Sequence, residues 1–419
     1  MYVSVRDRPG SSPGSAPDAK RRVAPVVVTL GVVSMLTDIS SESVAAVLPL
    51  FLTVGLGLST AAYGVVEGLY QGVSVLARIG GGWLSDRSGH PKWVAFLGYG
   101  VSALARVGFL AAGGLGAIAA VITADRVGKG IRTAPRDALI VAASPPSQTG
   151  YAFGVHRTLD TTGAVIGPLL AFAILWWIPD GYRTVMVVSL AFAIVGLALL
   201  GLFVEDPTDG SARAGAAESP AGSGFRWRSL LAPGMPRVLV TAGALGLLTV
   251  GDGFVYLALL DSGGFALHWF PLLYVGTSAA YLALAIPVGR LADRYGRART
   301  MALGHTALMA AYLATVAPLG AAAATLLVLG FLGLFYAATD GVLAAVAGTV
   351  APPEAQATGI AAAQSVVAVT RMFAAFGFGL AWAVLGPATA ILVVATLLAL
   401  IIPGAFLAMT GVDRARVGR

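Results

Sequence analysis

Thirteen ionisable side chains lie inside stretches of the chain that are otherwise apolar: Asp38, Glu42, Glu67, Arg106, Asp125, Arg126, Lys129, His156, Arg157, Asp160, Asp252, Asp340 and Arg371. A charge placed in hydrocarbon costs about 2.5–3.5 kcal/mol on insertion scales. It persists when it is paired, when it faces a water-filled cavity, or when function requires it. Ten of the thirteen precede residue 161, which points to ion coupling in the first half of the chain. Asp38 and Glu42 are four residues apart and share one helix face. Two neighbouring carboxylates in low dielectric resist double ionisation, so such a pair could load and release a proton. The bland alternative is that Ser40, Ser41 and Ser43 merely solvate a structural pair. Glu67 and Gln71 repeat the four-residue spacing. Arg106 and Asp125 fall at similar depths on adjacent antiparallel stretches, which predicts an ion pair. His156 and Asp160 stand one turn apart and could relay protons, or His156 could simply be packed. Met301, His305 and Met309 recur at i, i+4 and i+8, a pattern open to a soft metal ion but more often used for packing.

These groups need helices to hold them, and the composition says which kind. The chain has 419 residues, 57% hydrophobic and only 11% charged, against about 25% charged in an average soluble domain. Soluble domains cannot be built from this, whereas spans of roughly 20 apolar residues can cross a bilayer as helices. Twelve such stretches are expected, near 24–52, 60–82, 93–112, 115–143, 150–178, 184–204, 236–260, 268–289, 300–317, 321–347, 357–385 and 388–409. The fold class is therefore an all-α membrane protein with twelve spans. The apolar runs lack the alternation of a β-barrel strand. Residues 1–23 read as a disordered tail and 205–235 as a linker between two six-helix halves, 24–204 and 236–409, with a tail at 410–419. About twenty of the 27 Lys and Arg lie on the side of the N-terminus, against Arg183 alone in a loop on the other. By the positive-inside rule both termini and the linker are expected in the cytoplasm, with the chain in the cell membrane.

Other functions are excluded. Cysteine is absent, which removes thiolate chemistry and disulfides. The net charge of +7 is not gathered into a basic patch with aromatics, so nucleic acid is not an expected partner. There is no Walker loop and no nucleophile, base and orienter in reach of one another, so no enzyme and no cofactor are expected.

The halves repeat each other. Residues 82–92 read GWLSDRSGHPK and residues 289–299 read GRLADRYGRAR, which sets Asp86 and Asp293 207 positions apart. Pro145 in SPPSQTG and Pro352 in APPEAQATG lie at the same offset. Duplicated halves with a site at their interface are a common transporter design.

At these loops the chain resembles the major facilitator superfamily, whose signature between helices two and three is G-x-L-x-D-R-x-G-R-[KR]. Gly82, Leu84, Asp86, Arg87 and Gly89 match the first copy, and His90-Pro91-Lys92 depart from its basic tail. Gly289, Leu291, Asp293, Arg294, Gly296 and Arg297 match the second copy more closely. The resemblance implies a cytoplasmic latch here, where the residues alone also allow a plain positive anchor. Arg126, Lys129 and Gly130 resemble the family's helix-four signature R-x-x-[QK]-G, which implies proton handling by Arg126. A buried Arg stays charged and can hold a carboxylate ionised until a proton releases it. Gly163, Gly167 and Pro168 resemble the G-x-x-x-G-P core of the antiporter signature, which lacks its later Gly-Gly here.

The resulting expectation is a monomeric secondary transporter working by alternating access, with a small-molecule substrate, protons and the lipid bilayer as partners. Its cavity draws on spans 1, 4, 7 and 10, as the family's does, with Asp38, Glu42, Arg126, Asp252 and Asp340 as lining groups and Tyr256 and Tyr336 as aromatic contacts. Proton-driven export is the first reading. Uptake of a metabolite and a non-transporting receptor on the same fold are the alternatives.

Overall fold

The structure is a computed structural model that describes residues 23–145, 148–206, 230–262, 265–352 and 355–417. Residues 1–22 of the tail expected at 1–23 and most of the linker expected at 205–235 lie outside the described residues.

The first half holds α1 (Pro25–Leu50), extended by a π-helical turn over Phe51–Gly55, then α2 (Thr60–Ser88), α3 (Pro91–Ala111), α4 (Leu115–Ala142), α5 (Thr149–Trp177) and α6 (Tyr182–Phe203). The second half holds α7 (Met235–Gly246), α8 (Asp252–Asp261), α9 (Phe270–Tyr295), α10 (Arg297–Val316), α11 (Ala321–Thr339), α12 (Val342–Val350), α13 (Gln356–Leu385) and α14 (Pro387–Val417). The seventh span is broken into α7 and α8, and the tenth into α11 and α12, so among the described residues fourteen α-helices make twelve spans. Eight of the spans are long and apolar enough to cross a membrane on those grounds alone. The other four are α2, α4, the α7–α8 pair and α10, which carry charge or are interrupted. The last helix continues through 410–417, the stretch expected as a tail.

Local sequence sets the helix ends. Pro25, Pro91 and Pro387 open α1, α3 and α14, where a missing N–H and a fixed φ cost nothing. Ser59 caps α2 by accepting from Ala62 N at 3.2 Å. Gly89 and Gly296 end α2 and α9 at φ of 68° and 99°, a backbone region that only glycine enters cheaply. These two glycines stand at the same offset as Asp86 and Asp293, so the repeat in sequence is a repeat in backbone.

Packing obeys that symmetry. In the first half α2 and α3 pack on α4, α3 on α6 and α1 on α5. In the second, α9 and α10 pack on α11, α10 on α14 and α7 on α13, the equivalent pairs. Small residues allow the approach. A Cβ on Gly167 of α5 would lie 2.8 Å from Ser43 N and 2.9 Å from Glu42 Cβ of α1. One on Gly163 would run into the Met35 carbonyl. The G-x-x-x-G-P stretch is thus the surface on which the carboxylate-bearing part of α1 rests.

The halves touch each other toward the end opposite the two Gly-Asp-Arg loops. There Gly64, Gly68 and Gly72 of α2 face Ala375, Phe376 and Met372 of α13. Trp176 of α5 stands edge-on to His268 at 4.8 Å, and Tyr63 packs on Phe254 at 4.6 Å.

Candidate functional site

The innermost charges form a closed network. Asp125 is 2% exposed, and Arg106 and Arg126 are each 3% exposed. Arg106 Nη2 lies 3.0 Å from Asp125 Oδ1, and Arg126 Nε donates to Oδ2 at 2.9 Å, with Nη2 also on Oδ2. Arg106 Nε reaches Ser40 Oγ at 3.3 Å, while Ser189 Oγ donates to the Ser40 carbonyl at 2.7 Å. The Arg126 guanidinium also lies 3.9 Å from the centre of the Tyr70 ring. Two guanidinium groups share one carboxylate, so the cluster keeps a net positive charge beside the cavity. Removing one partner of a buried pair costs about 3–5 kcal/mol, because the other charge stays buried.

Next to this network the packing opens. Lys129 Nζ lies 3.9 Å from Glu42 Oε1, with the two side chains 34% and 29% exposed. One turn nearer the loop end, Asp38 sits near Lys129, Arg132 and Asp160. Asp160 lies 3.5 Å from Arg157, whose side chain is 81% exposed. Asp38 and Glu42 are themselves only partly buried. Arg126, Lys129, Arg132 and Arg136 follow one another at three- and four-residue steps on α4, facing Asp38, Glu42 and Ser34 of α1. Arg132 and Arg136 are not among the charges singled out from the sequence; the continuing spacing was the available signal. His156 is packed, with Nε2 3.0 Å from Ser34 Oγ.

A cavity of about 120 Å³ lies between the halves, lined by Glu42, Glu67, Tyr70, Asp252, Tyr274, Tyr336 and Arg371 among others. Glu67 accepts from Tyr63 Oη at 3.2 Å and from Gln71 Nε2 at 2.8 Å. Asp252 opens α8 at the break in the seventh span, and Tyr336 Oη donates to its Oδ1 at 2.8 Å. A second cavity of about 260 Å³ adjoins across Asp252, Tyr274 and Tyr336 and is lined by Asp340. Asp340 is exposed at the break in the tenth span. Tyr256, expected in the cavity, is instead fully buried, with Oη 2.7 Å from Thr277 Oγ1. Tyr70 and Tyr274 were not foreseen, nor was the break at 247–251 that swings Asp252 inward. Tyr312 secures that break: its hydroxyl accepts from Val250 N at 2.8 Å and donates to Leu248 O at 3.1 Å.

The loop residues lie away from this cavity. Arg87 rests over Trp83 at 5.3 Å and Arg294 over Tyr295 at 5.3 Å. Arg297 Nη1 donates to Ala345 O at 2.7 Å, which ties the second loop to α12. Asp293 is exposed, while Gly82 and Gly289 are partly buried. In the Met-His stripe, His305 Nδ1 donates to Met301 O at 2.9 Å and the ring packs on Phe335 at 5.4 Å. No group of three or more His, Cys, Asp or Glu suited to a metal ion occurs among the described residues.

Comparisons with known proteins agree with this architecture. Residues 30–375 match the family model described as Major Facilitator Superfamily. An uncharacterised MFS-type transporter of Methanocaldococcus jannaschii is 26% identical over 377 residues, covering 86% of this chain and 89% of that protein. An uncharacterised protein of Mycobacterium tuberculosis is 28% identical over 278 residues, covering 66% of this chain and 67% of that one. The crystal structure of the nucleoside transporter NupG superposes with a TM-score of 0.78 at 14% identity, covering 92% of this chain and 99% of that one. An inward-facing bacterial homologue of the lysosomal transporter Spinster gives 0.71 at 15% identity, covering 91% and 96%. The chain belongs to the major facilitator superfamily of membrane transporters.

Proposed function

We propose that the protein is a proton-coupled antiporter of the cell membrane that exports a small organic compound by alternating access. The observation that carries this reading is the Glu42–Lys129 pair. It is partly hydrated, borders the cavity between the halves, and sits one turn from the buried Asp125 cluster. A proton on Glu42 removes its attraction to Lys129 and lowers the charge facing the cavity. Substrate entering the same space competes for those groups, so proton and substrate exclude each other, as exchange requires. Asp38 and Asp160 continue from this pair toward the loop end and give the proton a hydrated way out. The packing of Gly163 and Gly167 under Glu42 supports the antiport reading, since it fixes the proton-bearing helix against α5.

On this reading both termini are cytoplasmic, the cavity opens inward, and the protein works as a monomer. The Gly-Asp-Arg loops re-form a cytoplasmic latch when the far-end contacts part, with Gly64, Gly68 and Gly72 as the separating surface.

Transport by the purified protein in proteoliposomes tests the reading. An outwardly directed substrate flux driven by an inward proton gradient supports it. A flux insensitive to the gradient opposes it, and flux in the same direction as protons assigns the uptake mode instead.

A further inference from the structure

The cavity holds one charge that proton exchange leaves unexplained. Arg371 of α13 borders both the central cavity and a neighbouring one of about 130 Å³. Its guanidinium touches the Phe335 ring at 5.8 Å, yet its Nε is buried and has no hydrogen-bond partner. Among the described residues no carboxylate stands within 4.0 Å of it, whereas Arg106, Arg126, Arg136 and Arg157 each have one. A guanidinium remains charged in any protein environment, and a buried donor left unmade costs about 1–3 kcal/mol. The same cavity carries Asp252, which takes a hydrogen bond on one oxygen from Tyr336 and keeps acceptor capacity on its carboxylate. Rings of Tyr70, Tyr274 and Tyr336 close the space around them. Such faces favour a cation.

We infer that the transported compound is a small zwitterion, its ammonium group received by Asp252 among the tyrosine rings and its anionic group by Arg371. The inference rests on the transport reading above and names its substrate class. A simple amine would meet Arg371 as a like charge. A simple acid would meet Asp252, Glu67 and Glu42. A molecule with both groups gives the Arg371 guanidinium a counter-charge and uses the free acceptor capacity of Asp252 at once. The cavity of about 120 Å³ and its neighbour of about 260 Å³ admit compounds of amino-acid size. An Arg is suited to this because its planar fork matches a carboxylate.

The test is calorimetric and thermal-shift binding to purified wild-type protein. The probes are the ω-amino acids from glycine to 6-aminohexanoate, each beside the amine and the carboxylic acid of equal chain length. At least one amino acid should bind tenfold or more tightly than both of its matched partners. Arg371→Gln should bring it level with the matched amine, and Asp252→Asn level with the matched acid. If no amino acid in the series exceeds its partners tenfold, the proposal is wrong, whatever the variants do. If one does and a folded Arg371→Gln keeps the full preference, it is also wrong. Proton movement in proteoliposomes with a wider organic panel separates the two readings. A protein that exchanges protons for other compounds but ignores this series keeps the transport reading and loses this one.

Discussion

Lys129 and Glu42 face each other at 3.9 Å across α4 and α1, each about one-third exposed to water. The pair differs from the Asp125 cluster beside it, which is shut off from solvent and held by several hydrogen bonds. Hydrated, loosely paired charges can change state within a transport cycle. Sealed ones cannot without a large penalty. The division of labour within the first half follows from this contrast.

The sealed cluster should therefore behave as structure. Asp125→Asn leaves Arg106 and Arg126 buried without an anion and should cost about 3–5 kcal/mol. Arg106→Leu leaves the Asp125–Arg126 pair intact and should cost clearly less. Thermal unfolding of both variants in one detergent checks the order; equal losses would contradict it.

Gly167 should be intolerant of bulk for a stated geometric reason. A side chain there meets the backbone and Cβ of Ser43 and Glu42, and overpacking of this kind costs about 1–3 kcal/mol. Gly167→Val should lower the melting temperature and slow transport. Gly100→Val should be neutral, since a Cβ at Gly100 meets nothing within 4 Å.

Tyr312→Phe removes the hydroxyl that both accepts from Val250 N and donates to Leu248 O. Two backbone groups at the break lose their partner, at about 1–3 kcal/mol each if water cannot replace it. Amide exchange over residues 247–251 should accelerate in the variant while exchange in α10 itself stays slow. Unchanged exchange at 247–251 would remove Tyr312 from the role of securing the break.

The absence of cysteine makes topology easy to probe. Single cysteines placed at Ser88 and at Asp180 should label oppositely with a membrane-impermeant maleimide on intact cells. Ser88→Cys should be protected and Asp180→Cys modified. The reverse pattern would invert the assigned orientation.

Much of this architecture could be read from the residues, because apolar length, charge asymmetry and the 207-residue repeat are each one-dimensional signals. The Arg106–Asp125 pairing was legible too, since equal depth on adjacent antiparallel spans brings two charges together. What stayed hidden depends on how helices break and rotate. Asp252 enters the cavity because the seventh span unwinds over 247–251, and Tyr312, 62 residues from Val250, stabilises that unwinding. Tyr256 and Tyr336 look alike in sequence, yet one is buried in the core and the other donates to Asp252. Arg371 could be seen as a charge in a span, but not as one left without a carboxylate.

Proton movement in proteoliposomes that enclose a pH-sensitive dye bears hardest on the function proposed. External compounds from an organic panel are added at equal pH on both sides, to wild-type protein and to Glu42→Gln. Inward movement of a substrate should carry protons out and turn the wild-type lumen alkaline, and Glu42→Gln should cut this signal at least tenfold while the protein stays folded. Acidification in the wild type, or an undiminished alkaline signal in Glu42→Gln, would contradict antiport through Glu42.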